Sequence, residues 1–161
     1  MPNAAYRARR HTEELLRYWR LGRDETFVYR VKLVVSELVT NAANATVLLA
    51  EDERRRHDRC PAARCSLDMA ALGQVRLRLS SDARSHLLIE VGDRSGDPPV
   101  PQTPGIDAEG GRGLLLVETL CDGWGWYPTD GTESTAVQDH TSRKVVWGRL
   151  RLDPRGCRHH A

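Results

Sequence analysis

The chain has 161 residues, 40% hydrophobic and 29% charged, with a formal net charge of +2. That size favours one folded domain with its own core, and no unbroken apolar run reaches the roughly 20 residues of a membrane helix. The near-balanced charge argues against nucleic acid as the main partner, and MPNAAYRARRHTEELL has no apolar secretory core, so a cytoplasmic protein is expected.

Residues 5–21 read as a first helix, with Leu15, Leu16, Tyr18 and Trp19 on its apolar side and Gly22 as its stop. Asp24 caps a second helix running from about residue 25 to residue 49. Within it Val31, Val34, Leu38, Ala42, Ala45 and Leu49 recur at steps of three and four, the amphipathic period. Residues 51–73 break that period. Charge is dense and Pro61 interrupts, so an exposed loop or insertion is expected.

Residues 75–79 alternate as a half-buried strand, 80–85 form a turn, and 86–91 form a second strand, antiparallel to the first because the connection is short. Residues 92–111 are rich in Gly, Pro and Asp and read as loop. A helix follows over 114–120, then a third strand over 123–127, a polar connection over 128–142, a last strand over 145–152 and a tail over 153–161. Arg76, Arg78, Arg149 and Arg151 alternate with apolar residues and suit a sheet face turned away from the core. This order implies an α+β fold: a two-layer α/β sandwich whose mixed, mostly antiparallel sheet is covered on one face by helices.

Three stretches carry candidate chemistry. In the second helix Glu37 and Asn41 are four apart, so they share a face. A carboxylate there suits a general base and a carboxamide oxygen suits a hard cation such as magnesium. The plain alternative is a surface Glu and Asn that touch only backbone or water. Asp93 ends the second strand, with Ser95 and Gly96 in the small-residue turn behind it. Its carboxylate accepts only, so it suits an exocyclic amino group, and Gly96 would let backbone approach a flat ring. The alternative is an Asx turn in which Asp93 satisfies its own loop. Gly111-Arg112-Gly113 leads into the helix at Leu114, where backbone N–H groups and the helix dipole favour an anion. It is neither a P-loop nor a Rossmann fingerprint. Gly105 and Gly110 could hinge a lid. The four cysteines, Cys60, Cys65, Cys121 and Cys157, form neither a CxxC pair nor a disulfide framework, and His57 with Cys60 and Cys65 is a weak zinc pattern.

The ordered blocks Glu37-Leu38-Val39-Thr40-Asn41-Ala42, Ile89-Glu90-Val91-Gly92-Asp93-Arg94-Ser95 and Gly111-Arg112-Gly113-Leu114-Leu115-Leu116-Val117, with Lys144-Val145-Val146-Trp147 downstream, resemble the histidine-kinase-like ATPase superfamily of gyrase B, Hsp90, MutL and sensor kinases. The chain is most similar to the stand-alone anti-sigma-factor serine/threonine kinases of actinomycetes, over roughly residues 5–152. The resemblance implies a single domain of the Bergerat ATP-binding fold that takes ATP and Mg2+. Glu37 would be the general base, Asn41 the magnesium ligand and Asp93 the partner of the adenine amino group. Ser95 and Gly96 would lie beside the base, and Gly111, Arg112, Gly113 and Leu114 at the phosphates. The implied partner is a sigma factor or an anti-sigma-factor antagonist protein, with a homodimer open to it. The chain departs from that pattern at Val145, where a Thr hydroxyl would support a water-mediated adenine contact.

Two function classes stay open at this level. One is an ATP-binding regulator, with serine/threonine kinase activity on an antagonist undecided. The other is a non-catalytic protein-binding module that has weakened or lost nucleotide binding. A nucleic-acid binder using the arginine face ranks third.

Overall fold

A computed structural model of the chain describes residues 4–59, 74–82, 84–99, 113–129 and 142–152. The elements are α1 (Ala4–Tyr18), α2 (Glu25–Arg59), β1 (Arg76–Ser81), β2 (His86–Asp93), α3 (Gly113–Leu120), β3 (Gly123–Pro128) and β4 (Lys144–Arg151). The strands form one sheet of order β1-β2-β4-β3 with every pairing antiparallel. Helices pack on one face, so the expected two-layer α+β sandwich is present.

Strand alternation decides what faces the helices. Leu87, Ile89 and Val91 of β2 are buried, as are Val146 and Leu150 of β4. From α2, Val31, Val34, Val35 and Leu38 meet them, all at most 2% exposed. Each such side chain contributes about 1.5–3 kcal/mol relative to exposure. Gly148 lies on the same inward register. A Cβ there would sit 2.9 Å from Cys121 Sγ and 3.4 Å from a Val34 methyl. The missing side chain is what lets α2 and the end of α3 approach the sheet. Arg30 then donates to the Leu120 carbonyl at 2.6 Å and ties α3 to α2.

The helix ends are set by local chemistry. Asp24 caps α2 as expected, its Oδ1 accepting the Thr26 and Phe27 N–H groups at 2.9 and 3.1 Å. The end of α1 differs from expectation. Leu21 N–H reaches the Leu16 carbonyl and Arg20 N–H the Arg17 carbonyl, a Schellman pair. The left-handed residue is Arg20, with φ 60°, not Gly22. Leu16 and Leu21 are both buried and supply the apolar contact that accompanies this motif. Tyr18 is 82% exposed and does not belong to the apolar side.

A second correction concerns residues 51–59, which continue α2 instead of opening a loop. Glu51, Asp52 and the residues up to Arg59 include no Gly or Pro, and Pro61 lies beyond the helix end. Residues 60–73, the lid over 105–110 and the polar connection over 130–141 lie outside the described residues. The stretch Glu25–Asp52 is long and apolar enough to cross a membrane by length and composition, with a mean hydropathy of 1.5 over its apolar 18-residue window. Val31, Val34, Val35 and Leu38 of this stretch belong to the buried core, while Val47 and Leu48 are exposed. On the other sheet face Arg78, Arg149 and Arg151 are exposed as expected, and Arg78 pairs loosely with Glu90 at 3.7 Å.

At the β1–β2 turn, Asp82 Oδ1 accepts N–H groups from Arg84, Ser85 and His86. Those bonds, first from His86, hold its carboxyl well below the usual range.

Asp24→Ala should lower folding stability by about 1 kcal/mol through the lost cap. Arg20→Gly should raise it by roughly 0.5 kcal/mol, since relief of left-handed strain outweighs the extra unfolded-state entropy. Urea unfolding of the purified variants checks both.

Candidate functional site

Strand register carries two charged side chains into the interior. On β2 the inward positions run Leu87, Ile89, Val91 and then Asp93. On β4 they run Leu150, Gly148, Val146 and then Lys144. The two strands are antiparallel, and Asp93 and Lys144 are direct partners at the end of the ladder. Asp93 is 1% exposed and Lys144 5%. The Lys144 ammonium lies 3.3 Å from Asp93 Oδ1 and donates to the Asp97 carbonyl at 2.7 Å.

Ser95 N–H also donates to Asp93 Oδ1, at 2.8 Å. The Asx turn is therefore real, and it coexists with a carboxylate at a cavity wall. Burial pushes the Asp93 carboxyl above its ordinary range, while Lys144 and the Ser95 N–H pull it back down. With its folded pKa above the unfolded value of 3.8, this carboxyl's contribution to stability is full below pH 3.8 and is lost as pH rises through the folded value.

The cavity has a volume of about 600 Å³. That is the size of an ordinary small-ligand site. Its walls come from α2, the turn after β2, the start of α3 and the inward end of β4. Leu38, Ala42, Leu114 and Val146 supply apolar surface, while Asn41, Asp93, Ser95 and Lys144 supply polar groups. Five of the residues expected from sequence thus converge: Asn41, Asp93, Ser95, Gly113 and Leu114.

Glu37 is placed differently. It does not line the cavity but lies behind the first residue of α3. A Cβ on Gly113 would sit 2.6 Å from Glu37 Oε2 and 3.4 Å from Asn41 Nδ2. Glycine at 113 is what allows the start of α3 to rest on both side chains. Glu37 and Asn41 therefore share a neighbour, as their spacing implied, and flank the end of α3 that favours an anion.

Gly96 is exposed and lies outside the cavity wall, and a Cβ there would meet no protein atom within 4 Å. Val145 is a correction. It pairs with Gly92 and points to the opposite sheet face from its neighbours Lys144 and Val146, which line the cavity. The position beside Asp93 is 144, so Val145 is not where an adenine-supporting hydroxyl would stand. Gly111 and Arg112 lie outside the described residues.

Lys144 is the site residue that motif reading missed. A signal existed: Lys32 and Lys144 are the only lysines in the chain, and Lys144 sits on the apolar register of its strand. Among the described residues no cluster of three His, Cys, Asp or Glu could hold a metal. A hard cation at Asn41 would have to take most of its oxygens from a ligand and water, which is how magnesium is ordinarily held beside phosphates. Cys121 is a free thiol, pushed up to about 11 by burial.

A family model described as the histidine kinase-like ATPase domain matches residues 1–138. No curated protein matches the chain.

Removing one partner of the buried pair should be costly. Asp93→Ala should lose about 3–5 kcal/mol by leaving the Lys144 ammonium uncompensated. Adding Lys144→Met in that background should recover most of the loss, and a urea double-mutant cycle measures the coupling.

Proposed function

Because the chain belongs to the histidine kinase-like ATPase domain family, we propose that it is an ATP-binding regulatory protein of the cytoplasm, of the anti-sigma-factor serine/threonine kinase type. The observation that carries this reading is the convergence of Asn41, Asp93, Ser95, Gly113 and Leu114 on one cavity of about 600 Å³. These residues come from three separate stretches of the chain.

In this reading the base lies between the apolar walls, with its amino group on Asp93. The phosphates run toward Gly113 and the start of α3, where unpaired N–H groups and the helix dipole favour negative charge. Asn41 would hold Mg2+ through its carboxamide oxygen, and that ion supplies screening of phosphate charge. Glu37, against the same end of α3, is positioned to accept the proton of an attacking hydroxyl. A protein acceptor, such as a serine on an antagonist, would approach from that side. A sigma factor or that antagonist is the partner class we propose. The apolar core beneath the site keeps α2 fixed, so Asn41 faces the cavity without rearrangement, while Glu37 waits behind the start of α3.

The second reading, a partner-binding module without nucleotide, is favoured by one feature: Asp93 already carries an internal counter-ion in Lys144. A thermal shift with ATP and Mg2+ separates the two, because only a ligand of the folded state raises Tm. ATP at about 100 times its Kd should stabilise by roughly 2.7 kcal/mol. Asn41→Ala should abolish the magnesium-dependent part of ATP binding. Glu37→Ala should retain binding in calorimetry while losing any phosphate transfer to an antagonist. Unchanged affinity in Asn41→Ala would overturn the assignment of the cation site.

A further inference from the structure

The buried lysine at the cavity wall has donors to spare. An ammonium carries three N–H bonds. Lys144 directs one to the Asp97 carbonyl and one to Asp93 Oδ1, and makes no other hydrogen bond among the described residues. Among the described residues Asp93 is similarly half used. Both the Ser95 N–H and the Lys144 ammonium fall on Oδ1. The residual Oδ2 acceptor and the residual Lys144 donor belong to residues that both line the cavity. The strand register holds them side by side.

Building on the ATP-binding reading above, we propose that Lys144 reads the base directly, donating to the adenine ring nitrogen N1 while Asp93 accepts from the adjacent amino group. An adenine edge offers a donor and an acceptor on neighbouring atoms, and the Asp93–Lys144 pair offers the complement. A carboxylate alone can satisfy only the amino group. The ring nitrogen would then need a bridging water, and here a side chain stands in that place. Adenine N1 also gives the third ammonium proton an acceptor when the ligand arrives, where otherwise a buried donor would go unmet. The apolar walls Leu38, Ala42 and Val146 leave the ring faces to packing, so hydrogen bonding is confined to one edge. Lys144 has a structural part as well, since its bond to Asp97 holds the turn after β2. The test must therefore separate holding the turn from touching the base.

The experiment is calorimetric titration of the full chain with ATP and with 1-deaza-ATP, in which a C–H replaces N1. A hydrogen bond to a charged donor predicts that wild type binds ATP at least about tenfold more tightly than the analogue. Lys144→Met should bind the two alike, whatever it does to their common affinity, because loss of the turn affects both equally. Equal binding of ATP and 1-deaza-ATP by wild type overturns the role of Lys144 and leaves the ATP-binding reading standing. A preference for ATP that persists in Lys144→Met likewise overturns it. Binding of neither nucleotide by wild type overturns both. Should Lys144→Met fail to fold, the N1 resonance of 15N-labelled ATP bound to wild type decides: a position upfield of its value in water supports the proposal, and an unmoved resonance overturns it.

Discussion

The packing of α2 across the sheet governs where every other part of this protein can lie. One face of the helix is spent on Leu87, Ile89, Val91 and Leu150 through Val31, Val34, Val35 and Leu38. The adjacent face then carries Glu37 and Asn41 at a fixed rotation from that core stripe. A helix so anchored cannot roll, because a turn of one residue would move its valines off the sheet. The site inherits its geometry from the core, and Gly148 and Gly113 are where that inheritance is tightest. Each is a place where a methyl group would meet a neighbour closer than side chains normally approach.

The second constraint is electrostatic. A four-stranded sheet with helices on one side ends in a pair of inward positions that hold Asp93 and Lys144. Burying either charge alone would cost several kcal/mol, about what a small domain has to lose. Burying them together is tolerable, and the Ser95 N–H and Asp97 carbonyl each add a hydrogen bond to the pair. Such pairs contribute little net stability compared with apolar residues of the same size. At a cavity wall, charged groups held at fixed geometry can discriminate between ligand edges more sharply than solvated ones.

Much of the fold was legible in the residues. Alternation located β1, β2 and β4, the three-four period located the core half of α2, and Asp24 announced its start. The errors have physical causes. Residues 51–59 read as loop because they are densely charged, yet Glu, Asp and Arg are compatible with a helix and no Gly or Pro occurs before the helix ends. Gly22 looked like the stop of α1, but the Schellman geometry required the left-handed residue two positions earlier, and burial of Leu16 against Leu21 holds Arg20 there.

What the sequence determined by itself was the kind of protein: a helix-and-sheet sandwich with three candidate patches, each with residue types suited to a nucleotide and its cation. Periodicity and local chemistry suffice for that because they act within a few residues. Only the tertiary structure decided that Asn41, Asp93 and Gly113 share one cavity, that Glu37 stands behind α3 instead of on the wall, and that Lys144 rather than Val145 faces Asp93. Those outcomes depend on strand register across some fifty residues of chain. A slip of one residue in that register would exchange the inward and outward side chains, and no local signal in the chain forbids it.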